Sequence, residues 1–124
     1  MLAAASAPPP TLQAQCIVTA TLQSAPYGAP IQERIELSNG VVHVAYTQGL
    51  RTWTNDGSLI SYRETGGYAR FDMFVAGPFA IERFSAGDAQ AIYTGSYLLT
   101  DGGGMVKEHG TCRVAADPQE GAGR

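Results

Sequence analysis

Charge is what this chain has least of. Charged side chains make up 15% of its 124 residues, against about 25% in an ordinary soluble protein. Positive charge is scarcer still: seven arginines and one lysine, Lys107, are scattered along a chain of net charge −3. Nucleic-acid binding needs concentrated positive surface to displace counterions from phosphates, so that class of partner is excluded. No apolar run approaches the ~20 residues of a membrane-spanning helix. Helical periodicity is missing throughout. So are the commoner catalytic signatures: there is no Gly-x-Ser-x-Gly. The stretch Asp101-Gly102-Gly103-Gly104 lacks the Gly-Lys-Ser/Thr ending and following helix of a phosphate loop. Histidine is limited to His43 and His109, cysteine to Cys16 and Cys112, and no spacing among them resembles a zinc motif. No cofactor and no catalytic residue is expected from this inventory.

Two cysteines, one near each end of a small chain, predict a single disulfide of the kind kept in oxidising compartments. Cys16 opens "CIVTATL" and Cys112 sits in "GTCRVA", both strand-like. If those strands are neighbours, the bridge closes nearly the whole chain, for which the chain-entropy model gives about 4.7 kcal/mol at ~100 residues. Free thiols are one alternative, and a metal site with His43 and His109 as co-ligands is another. Residues 1–15 read as an Ala/Pro-rich arm or the end of a signal peptide, with Ala5-Ser6-Ala7 in the small-x-small form of a cleavage site. Gln15 before Cys16 argues against lipidation there. The expected compartment is periplasmic or secreted. One domain is expected over 16–115, with 116–124 a frayed tail.

Between those limits, segments of β-type composition recur every 10 to 12 residues, separated by turn signals. They are 16–23, 31–38, 41–48, 50–57, 58–64, 68–76, 79–85, 89–100 and 105–115. The second puts Glu33, Ile35 and Leu37 on one face. Asn39-Gly40 is a strong hairpin signal, because both residues tolerate positive φ. The third puts Val42, Val44 and Tyr46 on one face. Turns are expected at Asn55-Asp56-Gly57, Gly66-Gly67 and Gly77-Pro78, and a bend at Gly95. A two-residue turn at Gly77-Pro78 pairs Asp72 with Arg83 and Phe74 with Ile81, and avoids setting Asp72 against Glu82. Asp72 and Glu82 are carboxylates on adjacent strands, the arrangement a glycosidase uses, but the expected register makes Asp72 half of a surface ion pair. Phe71, Phe74, Phe79, Ile81 and Phe84 read as core. The fold class is all-β: a small antiparallel up-and-down barrel, or a sandwich, of about eight strands closed by the disulfide. Eight strands leave an interior that side chains fill or that holds one small ligand.

At "IERFSAGDAQAIYTGSY" and "EHGTCRVA" the chain resembles small secreted bacterial proteins with an early Cys and a late Gly-Thr-Cys. More distantly it is similar to the periplasmic C-type lysozyme inhibitors, which are eight-stranded barrels with a disulfide. That resemblance implies inhibition through a Ser-Gly loop with a nearby Tyr, matched here by Ser85, Gly87 and Tyr93. Ala86 intrudes between the Ser and the Gly. It also implies a Lys-Gly loop, for which Lys107 is the one lysine, followed by Glu108. Trp53 and Tyr62 are further candidates, as amphipathic aromatics near strand ends. The function expected is an exported binding module rather than an enzyme. It engages a protein partner or a small apolar ligand through loop aromatics. The alternatives are a lipocalin-like carrier and a structural subunit of a surface assembly. Oligomeric state is left open.

Overall fold

The computed structural model of the chain describes residues 9–85 and 89–115. Residues 1–8, 116–124 and Gly87 therefore lie outside the described residues, and with them much of the expected arm and tail. Every described element is a strand: β1 Leu12–Leu22, β2 Ala25–Pro26, β3 Ile31–Ser38, β4 Val41–Gln48, β5 Arg51–Thr65, β6 Tyr68–Phe74, β7 Pro78–Arg83, β8 Gln90–Leu98 and β9 Met105–Val114. Each long strand pairs antiparallel with the next, and β9 returns to β1. The ladder is continuous and closed, so the fold is an up-and-down barrel of eight long strands rather than a sandwich. β2 is a two-residue spur folded back on the end of β1, with Thr21 opposite Pro26.

Closure removes every long edge, which is where antiparallel sheets are vulnerable. It also brings the ends of the domain together. Cys16 is directly opposite Cys112 across the β1/β9 seam, and the two form a disulfide spanning 96 positions of sequence. Both are buried. β1 begins at Leu12, ahead of the expected Cys16, and its alternation starts there: Leu12, Ala14, Cys16 and Val18 face inward.

One end of the barrel carries the β1–β3, β4–β5, β6–β7 and β8–β9 connections and is called upper here. The lower end carries the other hairpins. Asn39 and Gly40 take φ of 52° and 78°, as a two-residue hairpin turn requires. The lower interior is filled with apolar side chains, among them Ile35, Leu37, Val42, Val44, Phe71, Met73 and Ile81.

Four expectations are corrected. Asn55-Asp56-Gly57 is not a turn, since β5 runs through it. Asn55 faces inward, Asp56 faces outward to pair with His43, and Gly57 admits a neighbour: a Cβ there would lie 1.9 Å from the Phe74 carbonyl oxygen. As expected for 89–100, β8 runs through Gly95 as one strand. The β6/β7 turn is Val75-Ala76-Gly77 rather than Gly77-Pro78, with Ala76 at φ 60° and the Val75 N–H donating to the Gly77 carbonyl. Asp72 is consequently opposite Ala80, and Arg70, not Arg83, faces a carboxylate, Glu82. The reason is the inside–outside rule: the expected pairs would have set Asp72 on the face of buried Ile81, whereas this register aligns Phe71 with Ile81 and Met73 with Phe79 and keeps the charges outside. Arg70 then bridges Asp72 and Glu82 on the outer wall. Finally, Phe74 and Phe84 are exposed, not core.

Candidate functional site

The upper half of the barrel interior is not filled. A cavity of about 220 Å³ opens there, lined among others by Glu33, Tyr46, Trp53, Asn55, Phe79, Tyr93, Tyr97 and Glu108. Strand alternation puts these side chains inside. Glu33 follows Ile35 and Leu37 up the inner face of β3. Tyr46 continues Val42 and Val44 on β4. Glu108 lies in phase with Val106 and Cys112 on β9. Cross-strand register assembles them: Glu33 is opposite Tyr46, and Tyr46 is opposite Trp53. On its other side Glu33 is opposite Cys16, so the disulfide lies at the level of the cavity's floor.

The walls are two aromatic stacks. Tyr46 and Trp53 lie 5.0 Å apart and 9° from parallel. Phe79 and Tyr93 lie 5.1 Å apart and 16° from parallel. The Arg51 guanidinium also stacks on the Trp53 ring, at 5.1 Å from its centroid. Glycine makes room for an acid: a Cβ on Gly95 would lie 3.2 Å from Glu108 Oε1 and 2.9 Å from the Phe79 Cβ.

Glu33 is 3% exposed and, among the described residues, is the one charged residue in the buried set. Its pKa is pushed up to about 8, first by burial and then by the charge of Glu108, while a hydrogen bond from the Tyr93 hydroxyl pulls it partly back. Burial raises Glu108 as well. The same surroundings hold the Tyr93 phenol well above its ordinary value, by burial first and then by Glu33 and Glu108. Taking a carboxylate out of water disfavours its charged form, and a second carboxylate nearby adds to the penalty. At neutral pH the pair therefore carries less than its full two charges.

Of the residues singled out in the sequence, the structure brings two together here, Trp53 and Tyr93. Tyr62 is at the lower end of β5, against Phe71, with its hydroxyl donating to Glu64. Ser85 is exposed beyond the lower end of β7. Lys107 is exposed on the outer wall near the upper end, opposite Thr21 and Ser96. Ser85 and Lys107 thus lie at opposite ends of the barrel. Sequence reasoning missed the two acids. The signal for Glu33 was a carboxylate in phase with Ile35 and Leu37. The signal for Glu108 was its even spacing from Cys112, once the disulfide set which face of β9 is inside. Among the described residues no group of three or more His, Cys, Asp or Glu is arranged to hold a metal ion.

No protein-family model matches the chain, and no curated protein matches it in sequence. Among solved structures it is similar to a tryptophan-to-alanine mutant of the vaccine antigen transferrin binding protein B from Haemophilus parasuis, at 7% identity and a TM-score of 0.45. The match covers 86% of this chain and 26% of that one. A likeness of that depth says nothing about what this chain binds. A single disulfide closing a small β-barrel is consistent with an exported protein, and among the described residues no helix is long and apolar enough to cross a membrane.

Proposed function

We propose that this protein is an exported, non-enzymatic binding barrel that takes a small ligand in the cavity at its upper mouth. The observation that carries this reading is the division of the interior: packed hydrocarbon below, and about 220 Å³ lined by buried polar and aromatic groups above. Natural cores are packed to near-crystalline density. Ligand sites, in contrast, are concave, largely apolar and provided with a few convergent polar groups. The volume is below the ~300 Å³ at which drug-sized ligands begin, so the ligand is small. Trp53 is the chain's one tryptophan and stands in the cavity wall, which makes it a built-in reporter. A mixed panel of small amines, sugars, acids and alcohols, followed by amide and indole NMR shifts, tests the reading. Saturable shifts confined to Glu33, Tyr46, Trp53, Tyr93 and Glu108 are expected. A panel that moves none of them, or moves only outer-wall residues, would overturn it.

A second reading is supported by the rim. Tyr27, Leu50, Leu98 and Met105 are exposed, and all stand at or next to the upper connections. A ring of apolar side chains around a concave mouth suits a protein partner that caps it. The lysozyme-inhibitor resemblance is one version of that partner. In a C-type lysozyme assay, inhibition that disappears in Leu50→Asp supports it, and undiminished lysis at equimolar protein removes it.

A further inference from the structure

The mouth cavity is acidic and has no cation of its own. Its ionisable lining is Glu33, Glu108 and the phenols of Tyr46, Tyr93 and Tyr97; no Lys, Arg or His is among the residues that line it. The ion pairs among the described residues lie elsewhere, at His43–Asp56 and at Arg70 with Asp72 and Glu82, all on the outer wall. Arg51 stacks on the Trp53 ring but is not among the residues that line the cavity.

Buried carboxyls are ordinarily paired with a cation or bound to a metal, because an unpaired charge in a low-dielectric site is costly. From this geometry we infer, building on the ligand-binding reading above, that the ligand of the mouth is a small organic ammonium ion, seated between the Glu33 and Glu108 carboxyls. The other ligand classes fit less well. An anion meets two carboxyls and no positive group. A wholly apolar ligand buries both carboxyls further and satisfies neither. A bare metal ion finds only two carboxylates, and it is far smaller than a space equal to about seven waters at ~30 Å³ each.

An alkylammonium matches each part of the lining. Its N–H groups or positive methyls face the carboxyls and the Tyr46 and Tyr93 hydroxyl oxygens. Its hydrocarbon lies against Phe79, Tyr97 and Trp53 in the cavity wall. Glu108 on β9, Tyr93 on β8 and Tyr46 on β4 are the titratable groups facing Glu33 across the cavity. A cation placed among them favours the ionised carboxylates, so binding near pH 7 drives a proton off the Glu33–Glu108 pair into the buffer.

The test uses n-butylammonium and tetramethylammonium chloride as probes, with glucose, sodium acetate, n-butanol and calcium chloride alongside. Binding is read from Trp53 emission and from NMR shifts of the cavity residues. The inference expects saturable 1:1 binding of one or both ammonium ions. Affinity should fall at least tenfold in Glu33→Gln and in Glu108→Gln, and should not change in Glu36→Gln on the outer wall. Glutamine keeps the shape and removes the charge, and thermal unfolding of each variant checks that it is folded. Should either variant fail to fold, calorimetry of the parent protein in buffers of different ionisation enthalpy still decides, because proton release on ammonium binding is expected. Glucose, acetate or butanol binding at the mouth where ammonium does not would overturn the ammonium assignment and leave the binding-barrel reading standing. Calcium binding in preference to ammonium would also overturn it. No probe of any class reaching the mouth would overturn both.

Discussion

Glu33 holds a proton that the unfolded chain would release. Its pKa is near 4.5 in an open chain and is pushed up to about 8 by burial and by Glu108. Between those two values the folded state binds more protons than the unfolded state, so stability falls as pH rises. The contribution is whole below about 4.5 and is lost on passing through about 8. At about 1.4 kcal/mol per unit, the swing is on the order of 5 kcal/mol if Glu33 acts alone. Glu33→Gln is neutral at every pH. Thermal unfolding followed from pH 4 to 9 should show the parent's melting temperature declining across this window and the variant's curve flattened, with the variant the more stable at pH 9. A parent curve that is flat or rises over that range would contradict the burial of an acid here. Asp72 has the opposite sign. The Arg70 hydrogen bond holds its carboxyl below the usual carboxylate range, so its contribution is present at neutral pH and is lost on acidification. That pair is part-exposed, and Asp72→Asn should cost no more than about 1 kcal/mol in denaturant titrations.

Glycine separates two kinds of position along the strands. Gly57 lies within β5, where an added Cβ would meet the Phe74 carbonyl and the Val75 side chain at 1.9 and 2.5 Å. Gly57→Ala forces the backbone apart and should cost about 1–3 kcal/mol. Gly40 has open space around it but φ of +78°, so Gly40→Ala should cost about 1–2 kcal/mol through backbone strain alone. Urea unfolding of the two variants measures both, and a Gly57→Ala variant as stable as the parent would mean β5 is a turn at that point after all. The same contrast explains what the sequence let one read. Alternation in 31–38 and 41–48 and the Asn39-Gly40 turn were legible because each is a local pattern, set by a period of two or by one pair of backbone angles. Gly57 was misread because the reason for glycine there is non-local: it is the approach of Phe74 and Val75, distant in sequence. The β6/β7 register went astray for a related cause. Opposite charges were matched across a presumed turn, while the deciding interaction was burial of Phe71 and Met73 with Ile81 and Phe79. Cys16–Cys112 was legible because only two cysteines were available. The cavity was not, because an empty space has no residue of its own to announce it, and its acids looked like ordinary strand carboxylates.

At the level of the whole barrel, one bond and one ladder close the same seam. β1 and β9 are paired from Ala14↔Val114 to Leu22↔Val106, with the disulfide at Cys16↔Cys112 within that ladder. Removing the bridge releases a loop of 96 positions, for which chain entropy gives about 4.7 kcal/mol before strain. A Cys16→Ala/Cys112→Ala double variant should therefore unfold at a markedly lower denaturant midpoint, while the backbone ladder keeps the folded state a barrel in circular dichroism. Equal midpoints with and without the bridge would mean the seam is held by the ladder alone. The seam also decides where the ends of the domain emerge. The Ala115 N–H donates to the Gln13 carbonyl at 2.8 Å, so chain enters and leaves side by side at the filled, lower end. Whatever is joined to either end, be it a tether, a neighbouring domain or a surface, attaches at the floor. The mouth with its two acids then points away from the attachment, in whatever direction the barrel is hung.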